Sequence, residues 1–343
     1  MRIFLFGKHS IRTPFSYADY RGYFTRHFEY VSDPLRADFI VGGFRIDFRD
    51  NGDEVVRIRR ANPAAKFVVL SEEPLWDTMW GGDPCRLASA IDVRITGGGK
   101  ERLDYAYLNH ITSNVFEFSR IPYYVTTSDD FFVRYLNQFS RNANLSRSDI
   151  LATWKNAAFD CAFFAAKRLS TTFDVAHKNG TVLGLNHFRS AIAEQLDLPN
   201  VLREGVGWTE APPRQALPDW HLDKIAYLDR RCRIVSALEN THERSYISEK
   251  IFDAYAVVAI PIYHALENHR IREVVDASSF INTAGKTVAD AVRQITEFSP
   301  NDSFLDKYMH SQHRLRDLFS DASVLIEERE RLLKAVVARF ESF

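Results

Sequence analysis

The most constraining feature of this 343-residue sequence is a strand–loop–helix–strand pattern in its second half. An apolar run predicts a strand over residues 233–238, and a second apolar run predicts another over residues 257–263. Between them, residues 248–255 predict a short helix that follows a polar loop. Such a unit is typical of neighbouring parallel strands in an α/β fold, in which ligands bind beyond the carboxyl ends of the strands.

A lysine stands close to the open end of this predicted helix. Lys250 opposes the helix dipole, because the start of a helix carries partial positive charge. An anion lying across the helix start would compensate the lysine, and unpaired N–H groups at helix starts are suited to phosphate. The pattern therefore predicts an anion site here, while an ordinary βαβ crossover with a charged helix face is the structural alternative.

Composition excludes several classes of protein. The net charge of −1 provides no global field that would attract nucleic acid. The three cysteines, Cys85, Cys161 and Cys232, lack metal-ligand spacing and are typical of a reducing compartment. Residues 1–7 are too short an apolar run for a signal peptide and predict a first strand. No apolar run reaches transmembrane length.

Strand-like and helix-like segments alternate along the chain, which predicts an α/β protein with mostly parallel sheets. The predicted strands are residues 3–6, 39–41, 67–70, 93–96, 122–125, 161–165, 233–238 and 257–263. The polar segment 142–149 predicts a linker, so that residues 1–148 and 149–321 form two Rossmann-like domains. Residues 322–343 predict an amphipathic C-terminal helix. This helix would pack at the domain interface, or it would form a dimer or membrane-surface contact.

Four short motifs resemble the donor-site motif of glycosyltransferase family 10, the α-1,3/4-fucosyltransferases. They are residues 238–241 for F-E-N-S, 246–250 for Y-V-T-E-K, 253–255 for D-A-Y and 260–265 for I-P-I-Y-W-G. Order and spacing agree, and the sequence departs from the pattern at His264 and Ala265, where the family has W-G. The resemblance implies two Rossmann-like domains of the GT-B type, an interdomain cleft, and inverting sugar transfer from a nucleotide sugar. The first of these domains would bind the acceptor and the second the donor.

The resemblance also implies roles for donor-side residues. It makes donor ligands of Glu239, Asn240, Tyr246, Ser248, Glu249 and Lys250. Glu249 would lie beside the sugar and offset its developing positive charge, and Lys250 would bind phosphate. Arg189, on a predicted helix over residues 188–196, is matched to the family's second phosphate-binding cation, whose planar fork suits phosphate. Arg168 stays the alternative.

A glutamate pair follows the predicted strand 67–70 in the first half. The segment Ser71-Glu72-Glu73-Pro74 resembles the family's E-S-P element, which implies that Glu72 is the general base for the acceptor hydroxyl. Adjacent side chains at a strand end point to opposite sides, so only one of Glu72 and Glu73 is expected to face the site. A solvated pair near a turn is the structural alternative.

The predicted reaction uses no metal and no cofactor. No D-x-D motif is present, and residues 97–100 (Gly-Gly-Gly-Lys) lack the spacing of a phosphate loop. The expected function is transfer of L-fucose from GDP-fucose to a glycan or glycolipid, such as a bacterial lipopolysaccharide or surface polysaccharide. It would take place in the cytoplasm or at the cytosolic face of the inner membrane. GDP-mannose and UDP-galactose stay open as donors, and a non-catalytic nucleotide-binding module is the alternative from another class.

Overall fold

A computed structural model of the protein describes residues 1–79, 87, 89–210, 212 and 216–343. The chain divides into two compact units. The first comprises Met1–Ser119, Thr126–Asp129 and Ile326–Phe343, and the second comprises Arg120–Val125 and Asp130–Leu325. Each unit is built around a parallel β-sheet with helices, which confirms the predicted α/β fold class.

The first unit contains a parallel sheet of strand order β2-β1-β3-β4-β7 and a separate antiparallel hairpin, β5-β6. Its strands are β1 Arg2–Phe6, β2 Glu29–Tyr30, β3 Phe39–Gly42, β4 Lys66–Leu70, β5 Ala90–Arg94, β6 Lys100–Asp104 and β7 Ala106–Leu108, and its helices are α1 Ala18–Phe24, α2 Arg45–Arg49, α3 Gly52–Ala61 and α4 Trp76–Met79. Every residue of β3 is buried, because the continuous apolar run has helices or loops on both faces.

The second unit contains a parallel sheet of order β11-β8-β12-β14-β15 and a small antiparallel sheet, β13-β10-β9. Its strands are β8 Phe159–Phe164, β9 Ala176–His177, β10 Val182–Gly184, β11 Val201–Glu204, β12 Cys232–Ser236, β13 Thr241–His242, β14 Ile260–Tyr263 and β15 Ile281–Asn282. The helices of the rest of the chain are α5 Asp129–Asn142, α6 Arg147–Lys155, α7 Asn186–Gln195, α8 Trp220–Leu228, α9 Glu249–Ala256, α10 Ile271–Val274, α11 Val288–Thr296, α12 Asp302–Ser320 and α13 Ala322–Glu341. Strands β12 and β14 pair directly, so the loops that follow them lie at the same sheet edge.

Three predicted strands differ from the structure. The strand predicted over 93–96 is Ala90–Arg94 and ends two residues earlier. Residues 122–125 are not a strand, because Tyr123–Thr126 forms a short 3₁₀ helix. The strand predicted over 257–263 starts only at Ile260, because α9 continues to Ala256 and a turn follows it. In that turn Val258 has a left-handed backbone with φ of 61°, and its N–H donates to Tyr255 O at 3.1 Å. Apolar composition alone does not distinguish a helix end from a strand start.

The division between the units differs from the boundary predicted at residue 148. Helix α5 lies in the second unit, where the Asn142 amide donates to Tyr255 O at 3.1 Å and to Ala256 O at 2.9 Å. The predicted linker 142–149 therefore includes the turn between two helices of one unit, α5 and α6.

Helix α13 contributes to the core of the first unit. The Phe340 ring lies 4.8 Å from Phe39, 5.4 Å from Phe28 and 5.6 Å from Phe15, measured between ring centroids. In the same helix the Arg329 guanidinium donates to Thr126 O at 2.9 Å. Residues 326–343 thus belong to the same compact unit as the first strands of the chain.

Two further observations bear on the sequence-based expectations. Cys161 and Cys232 are buried free thiols, and Cys85 lies outside the described residues. Among the helices of the described ranges, none is both long enough and apolar enough to cross a membrane.

Candidate active site

Helix α9 places three of the predicted donor ligands at the carboxyl edge of the second sheet. Ser248 caps the helix and Glu249 and Lys250 form its first turn. The Glu239 carboxylate accepts the Ser248 N–H at 2.8 Å and the Ser248 hydroxyl at 2.7 Å. A carboxylate bound to the N–H groups of a helix start is favoured by the helix dipole. Glu239 therefore supplies the anion that the lysine at this helix start led us to expect.

Lys250 is held among these acidic and polar groups. Its ammonium lies 3.2 Å from Glu239 Oε2 and 3.3 Å from Glu249 Oε1, and it donates to Ser248 Oγ at 2.8 Å. Burial raises the pKa of Glu239, and Lys250 opposes that rise. Burial also acts on Glu249, but the nearby lysines outweigh it and hold the pKa of this carboxyl below its ordinary value. The helix start thus combines an ionised carboxylate with a half-buried cation.

Arg189 reaches the same edge from α7. Its guanidinium donates to Leu238 O at 2.8 Å and to Asn186 Oδ1 at 3.0 Å, and it lies 3.3 Å from Asn240 Oδ1. Burial lowers the pKa of Arg189 to about 10, with Glu239 opposing this effect. A buried guanidinium without a direct carboxylate partner is costly unless another anion compensates it.

The two alternatives for the arginine differ in their surroundings. Arg168 is half-buried and lies over the Phe173 ring at 5.4 Å, with its backbone N–H donating to Ser190 Oγ. Arg189 hydrogen-bonds to the loop between β12 and β13 through Leu238 and Asn240. The structure therefore brings Arg189 together with the other predicted donor ligands.

Unpaired polar atoms concentrate at this edge. Five buried side-chain atoms without a hydrogen-bond partner lie in the segments that converge there: Arg189 Nε, Ser236 Oγ, Thr241 Oγ1, Tyr263 Oη and His264 Nε2. Buried polar groups are normally satisfied, and exceptions mark functional sites or bound solvent. These atoms mark a surface suited to a polar ligand.

The Tyr246 side chain is buried rather than exposed to a ligand. Its ring is buried and packs edge-on against Tyr124 with 5.5 Å between centroids. The sequence expectation that Tyr246 binds the donor stays a prediction, and its visible role is to shape the loop that leads into α9.

The predicted glutamates of the first unit converge on one arginine. Arg12 Nε donates to Glu72 Oε1 at 3.0 Å, and an Arg12 terminal nitrogen donates to Glu73 Oε1 at 2.7 Å. The Tyr17 hydroxyl donates to Glu72 Oε2 at 2.9 Å. The expectation that the two side chains point to opposite sides is wrong, because β4 ends at Leu70 and the following residues bend.

Both glutamates are almost fully buried, with exposures of 1% for Glu72 and 2% for Glu73. Burial raises the pKa of Glu72, while Arg12 lowers it in opposition. A second acid of this unit, Asp77, accepts from the Tyr107 hydroxyl at 2.5 Å, and burial raises its pKa to about 7. Carboxyls with raised pKa values in one region are candidates for acid–base chemistry.

Sequence reasoning missed the partners that hold these side chains. Arg12 and Tyr17 lie about sixty positions before the glutamates, and no local pattern connects them. Asn186, which orients Arg189, had the signal of a helix start but no assigned role. Within the described residues, no group of three or more His, Cys, Asp or Glu is arranged to hold a metal ion.

One segment of the chain matches a known protein family. Residues 215–326 match the model of glycosyltransferase family 10 (fucosyltransferase), C-terminal part. This segment belongs to glycosyltransferase family 10. The match confirms the family and the enzyme class, a glycosyltransferase, that the motifs over residues 238–265 indicate. The matched segment contains six of the predicted donor ligands, namely Glu239, Asn240, Tyr246, Ser248, Glu249 and Lys250. Arg189, Glu72 and Glu73 lie outside this segment.

Solved fucosyltransferase structures are similar to this chain at low identity. An α1,3-fucosyltransferase with GDP-fucose has 16% identity and a TM-score of 0.45, over 95% of this chain and 90% of the other. An α1,3-fucosyltransferase structure described without ligand has 15% identity and a TM-score of 0.46 at the same coverage. One with GDP has 13% identity and a TM-score of 0.38, over 95% and 92%. No curated protein matches the chain in sequence.

Proposed function

We propose that the protein transfers L-fucose from GDP-fucose to a hydroxyl of a glycan acceptor, with inversion and without a metal ion. The observation that carries this proposal is the placement of two pairs, Arg189 with Asn240 and Lys250 with Glu249, in the segments at the carboxyl edge of the second sheet, where several buried polar atoms lack a partner. The family match over residues 215–326 supports the reaction class.

Departure of GDP needs positive charge at the diphosphate. As the bond between the sugar carbon and the phosphate oxygen breaks, its electron pair stays on the leaving GDP. Lys250 and Arg189 are proposed to bind these phosphate oxygens, because preordered donors aimed at developing charge stabilise a transition state strongly. Arg189 has a buried Nε without a partner, and Lys250 exchanges its present carboxylate contacts for phosphate.

Glu249 is proposed to act on the sugar. Its lowered pKa keeps it ionised at neutral pH, so it can accept hydrogen bonds from sugar hydroxyls. The same negative charge offsets the positive charge that the sugar ring acquires as GDP departs.

Glu72 is proposed as the general base. The acceptor hydroxyl oxygen bonds to the sugar carbon from the face opposite GDP, and its proton passes to the Glu72 carboxylate. Burial raises the pKa of Glu72 above its ordinary value, which makes its carboxylate a better proton acceptor. Glu73, which binds the same Arg12, stays the alternative base.

The proposed acceptor is a glycan or glycolipid such as a bacterial lipopolysaccharide or surface polysaccharide. We place the reaction in the cytoplasm or at the cytosolic face of the inner membrane, which the free thiols of Cys161 and Cys232 support because such thiols persist in reducing compartments. We also propose that the protein forms a homodimer, and we assign no residues to its interface.

Calorimetry with GDP and UDP tests the donor site. GDP should bind the wild type, and Lys250→Ala and Arg189→Ala should each weaken binding about 10- to 100-fold, as expected for a lost charge-assisted hydrogen bond of roughly 1.5–3 kcal/mol. Lys334→Ala is the matched control, because this lysine is exposed on α13 in the first unit and its removal should leave affinity unchanged. Binding of UDP in preference to GDP would reassign the donor.

Turnover tests the reaction itself. Incubation with GDP-fucose and an array of glycans should yield a fucosylated product whose anomeric configuration, measured by NMR, is opposite to that of the donor. Chelation by EDTA should leave the rate unchanged, and a loss restored by Mn²⁺ would contradict metal independence. GDP binding without any transfer or donor cleavage would favour the non-catalytic module.

A further inference from the structure

A buried charged network lies behind the first turn of α9. Asp253 follows Glu249 by four positions, so the two carboxylates lie on the same face of the helix one turn apart. Asp253 is fully buried, and it accepts the Tyr135 hydroxyl at 2.6 Å, His221 Nε2 at 2.8 Å and the Lys224 ammonium at 2.7 Å. Tyr135 Oη also lies 3.3 Å from Glu249 O.

Lys224 is an internal cation of this network. It extends from α8, is only 6% exposed, and has Asp253 as its ion-pair partner. Burial alone would raise the pKa of Asp253, but Lys224 and His221 hold it well below its ordinary value. Since a buried ammonium without an anion is strongly unfavourable, Asp253 in turn fixes Lys224 in place.

Glu249 faces several charges besides Lys224. Lys250 is its direct partner from the same turn, and Asp253 repels it from the next turn. Arg189 on α7 is attracted to it, and Tyr135 on α5 lies within its field.

Two further groups border this set. Glu239 is bound to Lys250. His221 lies 2.8 Å from Asp253 and 3.2 Å from the Tyr135 hydroxyl, and that hydroxyl contacts Glu249 O. Lys250 interacts with two carboxylates and is also proposed to bind phosphate. Lys224, on α8, is not proposed to bind the ligand, so its positive charge stays with the carboxylates.

We propose that Lys224 and Asp253 are positioning residues that keep Glu249 ionised and aligned for donor cleavage. Lys224 supplies fixed positive charge behind the carboxylate, and Asp253 anchors that charge and the helix. When Lys250 turns from Glu249 to phosphate, Lys224 remains and preserves the negative charge beside the sugar. This inference rests on the proposed role of Glu249.

Two substitutions should act in opposite directions. Lys224→Met removes the cation, so two buried carboxylates one turn apart repel each other and protonation of Glu249 becomes easier. Asp253→Asn removes the competing negative charge, so Lys224 acts on Glu249 alone and protonation becomes harder. A network that only held the fold together would not produce shifts of opposite sign.

The direct measurement is carboxyl NMR on protein labelled with ¹³C-glutamate, with the Glu249 signal assigned by its loss in Glu249→Gln. The titration midpoint of Glu249 should rise by roughly one pH unit in Lys224→Met, the lower end of the effect of a nearby charge, and should fall in Asp253→Asn. Lys224→Arg should restore the wild-type midpoint.

The matched control is Arg141→Met. Arg141 binds Asp229 at 2.7 Å and Ala256 O at 3.2 Å, so it stabilises the opposite end of the same helix. Its removal should lower stability without moving the Glu249 midpoint. If Lys224→Met does not fold, the pair Asp253→Asn and Lys224→Met/Asp253→Asn retains the comparison, because the cation is then removed without leaving an unpaired aspartate.

The pH dependence of kcat/KM for GDP release from GDP-fucose gives the second readout. Measured on a Glu72→Gln background, in which the raised pKa of Glu72 no longer sets the acid limb, that limb should move with the NMR midpoint in each variant. Unchanged or same-direction midpoints in Lys224→Met and Asp253→Asn would overturn the inference whether or not the enzyme turns over. The expected midpoint shifts in a protein that releases no GDP would instead overturn the proposed function.

Discussion

Replacement of Arg12 by methionine should make the stability of the first unit depend strongly on pH. Arg12 is the cation that Glu72 and Glu73 share, at 3.0 Å and 2.7 Å. Methionine retains much of the apolar stem of the side chain but leaves two buried carboxylates without this partner. We expect the loss of stability to be largest at pH values at which both carboxylates must be ionised.

The magnitude follows from burial. Removing one partner of a fully buried ion pair costs about 3–5 kcal/mol. The Arg12 side chain is 35% exposed, so solvent already screens part of the interaction. We therefore expect Arg12→Met to lower the free energy of unfolding by roughly 2–3 kcal/mol at pH 7.

The sign of the pH dependence is fixed by Glu72. Its pKa is raised in the folded state, and loss of Arg12 raises it further, so the folded state of the variant binds more protons than the unfolded state between the unfolded and the folded pKa. Stability of the variant should then increase as the pH falls through this range, and its difference from wild type should shrink as the carboxyls become protonated in both states.

Urea denaturation between pH 4 and 8 measures this difference. Arg21→Met is the control, because Arg21 lies over the Tyr30 ring at 4.6 Å and its loss removes a cation without a carboxylate partner. A deficit of Arg12→Met that stays constant with pH would refute the electrostatic reasoning and indicate a loss of packing alone.

Three other outcomes are expected. Glu72→Gln should cut sugar transfer roughly 10²–10⁴-fold while leaving GDP affinity near normal, and Glu73→Gln should reduce transfer less. Transfer rate and calorimetry measure both variants. An inactive Glu73→Gln together with an active Glu72→Gln would exchange the two roles. His264→Phe should match wild-type stability at pH 7 within about 1 kcal/mol, because its Nε2 is unpaired. Burial holds the pKa of His264 at about 4, so the wild type should lose stability relative to His264→Phe as the pH falls from about 6.5 towards 4, measured by thermal melting. Deletion of residues 326–343 should abolish hydrogen-exchange protection in β3 while strands of the second unit keep theirs.

Local patterns predicted seven of the fifteen described strands and the start of the key helix. Residues 39–41 and 67–70 are continuous apolar runs, and both lie in buried parallel strands. The helix start at Ser248 was predictable because a serine cap and an acidic first residue are local signals.

Partnerships between distant residues were not predictable. Arg12 meets Glu72 across sixty positions, and Lys224 meets Asp253 across twenty-nine. Hydrophobic period defines which face of an element is buried, but it does not specify which polar group satisfies a buried charge. The bend after Leu70 was not predictable either, because the alternation of side chains along a strand does not extend to Glu72 and Glu73, which lie beyond the end of β4.

The packing of Phe340 against Phe15, Phe28 and Phe39 has a consequence for biosynthesis. The ribosome releases β1 to β7 first, but their core lacks an aromatic side chain that is made more than two hundred residues later. The second unit has its strands and nearly all of its helices before that point, so it can mature while the chain is still growing. The unit that is synthesised first is therefore completed last. We expect the nascent first unit to be the part of this protein with most need of a chaperone.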